Sequence, residues 1–197
     1  MRIVLATHNP HKVAEFAAII AAVRPDLELI GYDGPEPVED GVTFSQNALI
    51  KARAAAQHTG LPALADDSGI SVDVLGGAPG VFSAYWAGHA KDAVANLTLL
   101  LDQLSDIADP HRAAQFVSTI ALVVPGGQEH VVEGRWPGRL ARDAAGSGGF
   151  GYDPIFIPDG QPAGAQRTAG ELSAAEKNAH SHRARAFAAL TPILAGL

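Results

Sequence analysis

The chain has 197 residues, 47% of them hydrophobic, with a net charge of −7. That is enough apolar material for one well-buried core and the wrong sign of charge for gripping a nucleic acid backbone. Cysteine is absent, which excludes disulfides, thiolate metal sites and thiol catalysis. No apolar run is long enough for a signal peptide or a membrane span, so we expect a soluble, cytoplasmic protein without membrane or polymeric nucleic acid partners. A small anionic ligand stays open wherever basic residues converge.

In chain order, residues 2–6 read as a strand, followed by Asn9 as a helix N-cap and Pro10 at the first helical position. Val13, Phe16, Ala17, Ile20 and Val23 recur at helical spacing, which predicts an amphipathic helix packed on a sheet. Residues 27–31 read as a second strand, and 32–42 as a loop rich in Pro, Asp, Glu and Gly. Thr43 with Gln46 predicts a capping box opening a helix that ends near Thr59. A third strand follows from Leu61 and brings in Asp66 and Asp67, then a glycine-rich turn at 76–80 and a helix over 92–104. Residues 113–124 and 130–136 read as two long strands joined by a Pro-Gly-Gly turn. Ser173 with Glu176 is a second capping box. With no repeat and no linker, a mixed α/β fold in a single domain over 1–197 is the economical expectation.

Four constellations carry chemistry. In Ala65-Asp66-Asp67-Ser68-Gly69, two carboxylates and a hydroxyl interrupt an apolar strand. Neighbouring strand residues point to opposite faces, which gives the two aspartates different jobs; the isolated tetrapeptide Asp-Asp-Ser-Gly equally reads as a turn. Thr7-His8-Asn9-Pro10-His11-Lys12 sets a hydroxyl, an amide and an ammonium at a strand-to-helix turn, where free N–H groups favour anions. It lacks the glycines of a Walker loop, so ordinary capping fits it equally well. Gly146 to Pro154 is a glycine cluster holding Phe150, Tyr152 and Asp153; it suits stacking on a flat base, and its rings equally suit core anchoring. In Lys177-Asn178-Ala179-His180-Ser181-His182-Arg183, one straight helix would set Lys177 and Arg183 about 120° apart. We therefore expect a break near Ser181 that restarts the helix and re-aims His182 and Arg183; a solvated basic helix start is the alternative.

Together and in this order, these motifs resemble those of the inosine triphosphate pyrophosphatase (ITPase) family, which acts on deaminated purine nucleotides. Glu39-Asp40-Gly41-Val42-Thr43-Phe44 and Leu75-Gly76-Gly77-Ala78-Pro79-Gly80 add to the match, which runs nearly end to end. The resemblance implies an elongated central mixed β-sheet flanked by helices, two lobes around a substrate cleft, and a homodimer. It implies Mg²⁺-dependent hydrolysis of ITP/dITP and XTP/dXTP to monophosphate and pyrophosphate, cleansing the nucleotide pool. By motif position, Thr7, His8, Asn9, Pro10, His11, Lys12, Lys51 and Lys177 would hold the triphosphate. Asp67 would be metal ligand and proton acceptor, Glu39 would assist the metal, and Ser68 would contact substrate. Phe150, Gly151, Tyr152 and Asp153 with His182 and Arg183 would form the base pocket. One departure is Tyr85-Trp86, since bacterial members often carry arginine at the first of these positions.

Such a division is chemically coherent. Charge on nucleophile and electrophile slows triphosphate hydrolysis, and Mg²⁺ on two carboxylates relieves it. Donors such as Arg183 and the glycine-loop N–H groups favour a 6-keto purine over adenine, since an unpaired buried donor costs ~1–3 kcal/mol. Three rival readings remain. The first is a Maf-like pyrophosphatase of pyrimidine or modified nucleotides, and the second a non-catalytic nucleotide-binding regulator, which would not need Glu39 and Asp67. A histidine metalloenzyme is the third, disfavoured because His180 and His182 have poor ligand spacing and no HExxH run exists.

Overall fold

Ile3, Val4 and Leu5 are wholly buried and form strand β1 (Arg2–Leu5) in the computed structural model, which describes residues 1–197 apart from the side chain of His11. Chain order continues with α1 (Pro10–Val23), β2 (Glu28–Gly31), α2 (Phe44–Thr59), β3 (Ala63–Val72) and α3 (Ala93–Gln103). Then come β4 (Ala113–Val123), β5 (Glu129–Leu140), β6 (Phe156–Pro158), α4 (Ala174–His180) and α5 (His182–Ala195). The six strands form one mixed sheet in the order β2-β1-β3-β4-β5-β6. β1 runs parallel to β2, with Val4 opposite Ile30, and parallel to β3, with Val4 opposite Ala63. β5 and β6 are antiparallel, with Arg139 opposite Ile157. The α/β expectation of a mixed sheet flanked by helices holds.

Three elements depart from expectation. β3 does not turn at Asp-Asp-Ser-Gly but runs on to Val72, so the turn alternative is wrong. β5 continues past Trp136 and Pro137 to Leu140, because Gly138 has no Cβ; one there would lie 2.9 Å from the Pro158 Cα of β6. At α2, Thr43 accepts from Gln46 N–H at 3.2 Å, but Gln46 Oε1 accepts from Val42 rather than Thr43, at 2.7 Å. The box is thus displaced by one residue.

The chain divides into two compact units, one of residues 1–67, 118–134 and 185–197, the other of 68–117 and 135–184. The first has two apolar layers. Ile3, Leu5, Phe16, Ile20, Leu64 and Ile120 pack with α5 through Phe187 and Leu190, where Phe16 meets Phe187 edge-on at 4.4 Å. Val4, Ala63, Ala65 and Ala121 pack with the alanines of α2. The second unit centres on Phe116, Trp136, Phe156, Ile70 and Leu100. At its edge, buried Arg112 donates to the carbonyls of Leu104 (2.6 Å), Leu140 (3.0 Å) and Ala141 (2.8 Å). Among the described residues no helix is long and apolar enough to cross a membrane.

Candidate active site

β3 builds the acidic centre by alternation. Leu64 faces the layer that contains α1, while Ala63 and Ala65 face the layer that contains α2. A period of two therefore sends Asp66 to the α1 side and Asp67 to the α2 side. Each meets a lysine from that helix. Lys12 Nζ lies 2.9 and 2.8 Å from the two carboxylate oxygens of Asp66, whose side chain is only 4% exposed. Lys51 Nζ lies 3.3 Å from Asp67 Oδ1 and 3.0 Å from Glu39 Oε2. The two aspartates do have different partners, as the alternation implied.

Burial opposes charge on Lys51, but Asp67 and Glu39 outweigh it and hold the ammonium above the ordinary lysine value. Burial pushes Asp67 up, and Glu39 adds to this, while Lys51 and Asn47 pull the other way. Asp67 Oδ2 is buried with no hydrogen-bond partner among the described residues. A lone pair left open beside a cation that already bridges two carboxylates suits a hard divalent ion. No group of three or more His, Asp or Glu side chains forms a metal cage among the described residues. Mg²⁺ needs none, since it is commonly held by one or two carboxylates together with substrate phosphates and waters. Glu39 and Asp67 therefore fit such an ion.

Around the 7–12 turn the capping alternative is realised. Asn9 N–H donates to Thr7 Oγ1 at 3.2 Å, and Asn9 Oδ1 accepts from Lys12 N–H at 3.4 Å, with Pro10 opening α1 as expected. His8 turns away to Glu36 and Gly34, and the His11 side chain lies outside the described residues. Lys12 is committed to Asp66, a pairing that the sequence reading missed.

In the second unit Ser68 is half-buried on β3, next to Gly69. Gly69 is there for space rather than for unusual backbone angles: a Cβ would lie 2.7 Å from the Gly80 carbonyl. Ser83, beside it, accepts from Ile70 N–H at 2.9 Å and offers its carbonyl to Tyr152 Oη at 2.8 Å. Tyr152 is buried, so of the two loop rings it is the core anchor, and Phe150, 65% exposed, is the open one. Asp153 is buried; its Oδ2 accepts from Phe150 N–H at 2.7 Å and pairs with Lys177. Gly149 has φ of 72°, a conformation that disfavours side chains.

Lys177, grouped with the triphosphate lysines by motif position, pairs with Asp153 of the 146–154 loop and lies 5.1 Å from the Phe150 ring centroid. The expected break at Ser181 is present. Ser181 N–H closes α4 on the Lys177 carbonyl at 2.9 Å, and its Oγ accepts from Ala184 N–H at 3.2 Å, capping α5. His182 is buried and stacked on Phe116, with ring centroids 5.0 Å apart. Arg183 reaches Phe150 at 5.6 Å, and its Nε is buried without a partner among the described residues. At the departure from the bacterial pattern, Tyr85 stacks on His89 at 5.3 Å and Trp86 Nε1 donates to Gln103 at 2.9 Å.

The chain is 63% identical to a dITP/XTP pyrophosphatase of Leifsonia xyli, covering all of this chain and 97% of that one. A solved dITP/XTP pyrophosphatase structure from Mycobacterium abscessus is 52% identical over 98% of this chain and all of its own, with a TM-score of 0.84. A HAM1 protein from Coxiella burnetii, 40% identical over the whole of both chains, superposes with a TM-score of 0.90. The Ham1 family model matches residues 3–193, and the chain belongs to that family.

Proposed function

We propose that this chain is a Mg²⁺-dependent hydrolase of deaminated purine nucleoside triphosphates, dITP/ITP and XTP/dXTP, releasing pyrophosphate and the monophosphate. The observation that carries the reading is the Glu39–Lys51–Asp67 arrangement, with one buried oxygen of Asp67 left open. Relatives named dITP/XTP pyrophosphatase, matched over nearly their full length, support it. Glu39 and Asp67 would hold the ion, which when bound supplies charge neutralisation on phosphate and orients a water. Lys51 bridges the two carboxylates. Asp67, half-buried and pushed upward by desolvation, accepts the proton of the attacking water. Lys12, at the α1 N-terminus beside Asp66, supplies positive charge for the phosphates, together with the N–H groups of the 7–12 turn.

Base selectivity is assigned to the second unit. Phe150 offers an exposed face, and the unpartnered Nε–H of Arg183 with the N–H groups of the glycine loop supplies donors for a 6-keto purine. Adenine would leave such donors unpaired, worth ~1–3 kcal/mol each. A homodimer, one functional domain over 1–197 and a cytoplasmic location belong to the same proposal.

The test incubates the protein with Mg²⁺ and dITP, XTP, dATP, dGTP or dUTP in separate reactions and assays pyrophosphate against orthophosphate. Pyrophosphate from dITP and XTP alone is expected. Preference for dUTP would move the chain to the Maf-like chemistry, and silence on all five would leave a nucleotide-binding role.

A further inference from the structure

Glu39 lies in the segment 32–42 between β2 and α2, and the two ends of that segment are held differently. Beside α2, Gly41 N–H donates to Asn47 Oδ1 at 2.9 Å and Val42 N–H to Gln46 Oε1 at 2.7 Å. At the other end the hold comes from His8 of the 7–12 turn. His8 Nε2 lies 3.0 Å from the Gly34 carbonyl oxygen, and Nδ1 lies 3.1 Å from Glu36 Oε1. The imidazole is parallel to Tyr32 within 5°, at 5.8 Å; Tyr32 Oη donates to the Pro35 carbonyl at 3.0 Å, and His58 of α2 meets the tyrosine edge-on at 5.6 Å. The imidazole thus meets the segment at a main-chain carbonyl and at a side-chain carboxylate. Beside it lies a recess lined by Thr7, His8, Tyr32, Glu36, Glu39 and Lys51.

We propose that His8 is a positioning residue for Glu39: it latches the N-terminal half of the 32–42 segment, so that Glu39 is presented to Lys51 before any ion or nucleotide arrives. This rests on the role given to Glu39 above, and it replaces a phosphate contact for His8 with a structural duty. The groups facing the imidazole are Glu36 and Tyr32 of the segment, with Glu39 and Lys51 lining the shared recess.

The experiment is hydrogen exchange over residues 33–40 in the wild type, His8→Phe, Glu36→Gln and the double variant, with and without Mg²⁺. It is paired with KM for dITP and the Mg²⁺ concentration for half-maximal rate. His8→Phe keeps the ring stack and loses the hydrogen bond to Gly34 and the contact with Glu36. Each single variant is expected to exchange about tenfold faster, with the double variant no faster than the single ones. The Mg²⁺ requirement should rise while KM at saturating Mg²⁺ holds. Unchanged exchange in both variants, or a raised KM with exchange unchanged, would overturn the latch. A wild type that releases no pyrophosphate from dITP would sink the functional reading instead, and the exchange arms would still decide the latch.

Discussion

Asp67→Asn keeps the shape of a half-buried side chain and removes the charge that holds Lys51 and would hold the ion. Glu39 remains to pair Lys51, so the fold should survive with nearly unchanged melting temperature while turnover falls ~10²- to 10⁴-fold. Near wild-type rates would remove Asp67 from the chemistry. Arg112 makes the opposite case, a charge with a structural task. It is 2% exposed, and burial, with Arg142 nearby, holds its pKa below the usual arginine value. Its contacts are carbonyls at the end of α3 and around the end of β5. Arg112→Met should therefore cost about 3 kcal/mol or more in urea unfolding, and a loss under about 1 kcal/mol would show those carbonyls to be satisfied otherwise.

At the scale of elements, what the sequence discloses is local and what it conceals is distant. Caps were legible at Asn9, Thr43 and Ser173 because cap and partner lie within a few residues. The break at Ser181 was legible because one straight helix could not serve both Lys177 and Arg183. Lys12 and Asp66 are 54 residues apart, so nothing in either motif announced their pairing, and the pairing of Lys177 with Asp153 was hidden for the same reason. β6, three residues long, has no room for a pattern. The Ser173 box supports a prediction of its own. The hydrogen bond from Arg167, then those from the backbone and side chain of Ser173, hold Glu176 down to about 2, below the ordinary glutamate value of about 4.3. A carboxylate depressed on folding stabilises above its unfolded value and loses that contribution as pH falls through its folded one. Thermal melts from about pH 4.5 to about pH 2 should show a slope that Glu176→Gln reduces; equal slopes would place the acid sensitivity elsewhere.

For the whole molecule, each unit owns an apolar core, and in each the cationic groups are matched to carboxylates or a ring: Lys12 and Lys51 in one, Lys177 and Arg183 in the other. Positive charge is thus spent locally on a chain whose net charge is −7. Single- or double-stranded DNA in excess should leave dITP hydrolysis unchanged even at low ionic strength, and inhibition relieved by salt would reveal a basic surface that this distribution does not suggest. The alternation of β3 also limits how the gene can change. A substitution in codons 63 to 65 alters packing, but gain or loss of one codon there would exchange Asp66 and Asp67 between the faces that Lys12 and Lys51 serve. Descent in this lineage can rewrite the letters of that strand far more freely than it can alter their number.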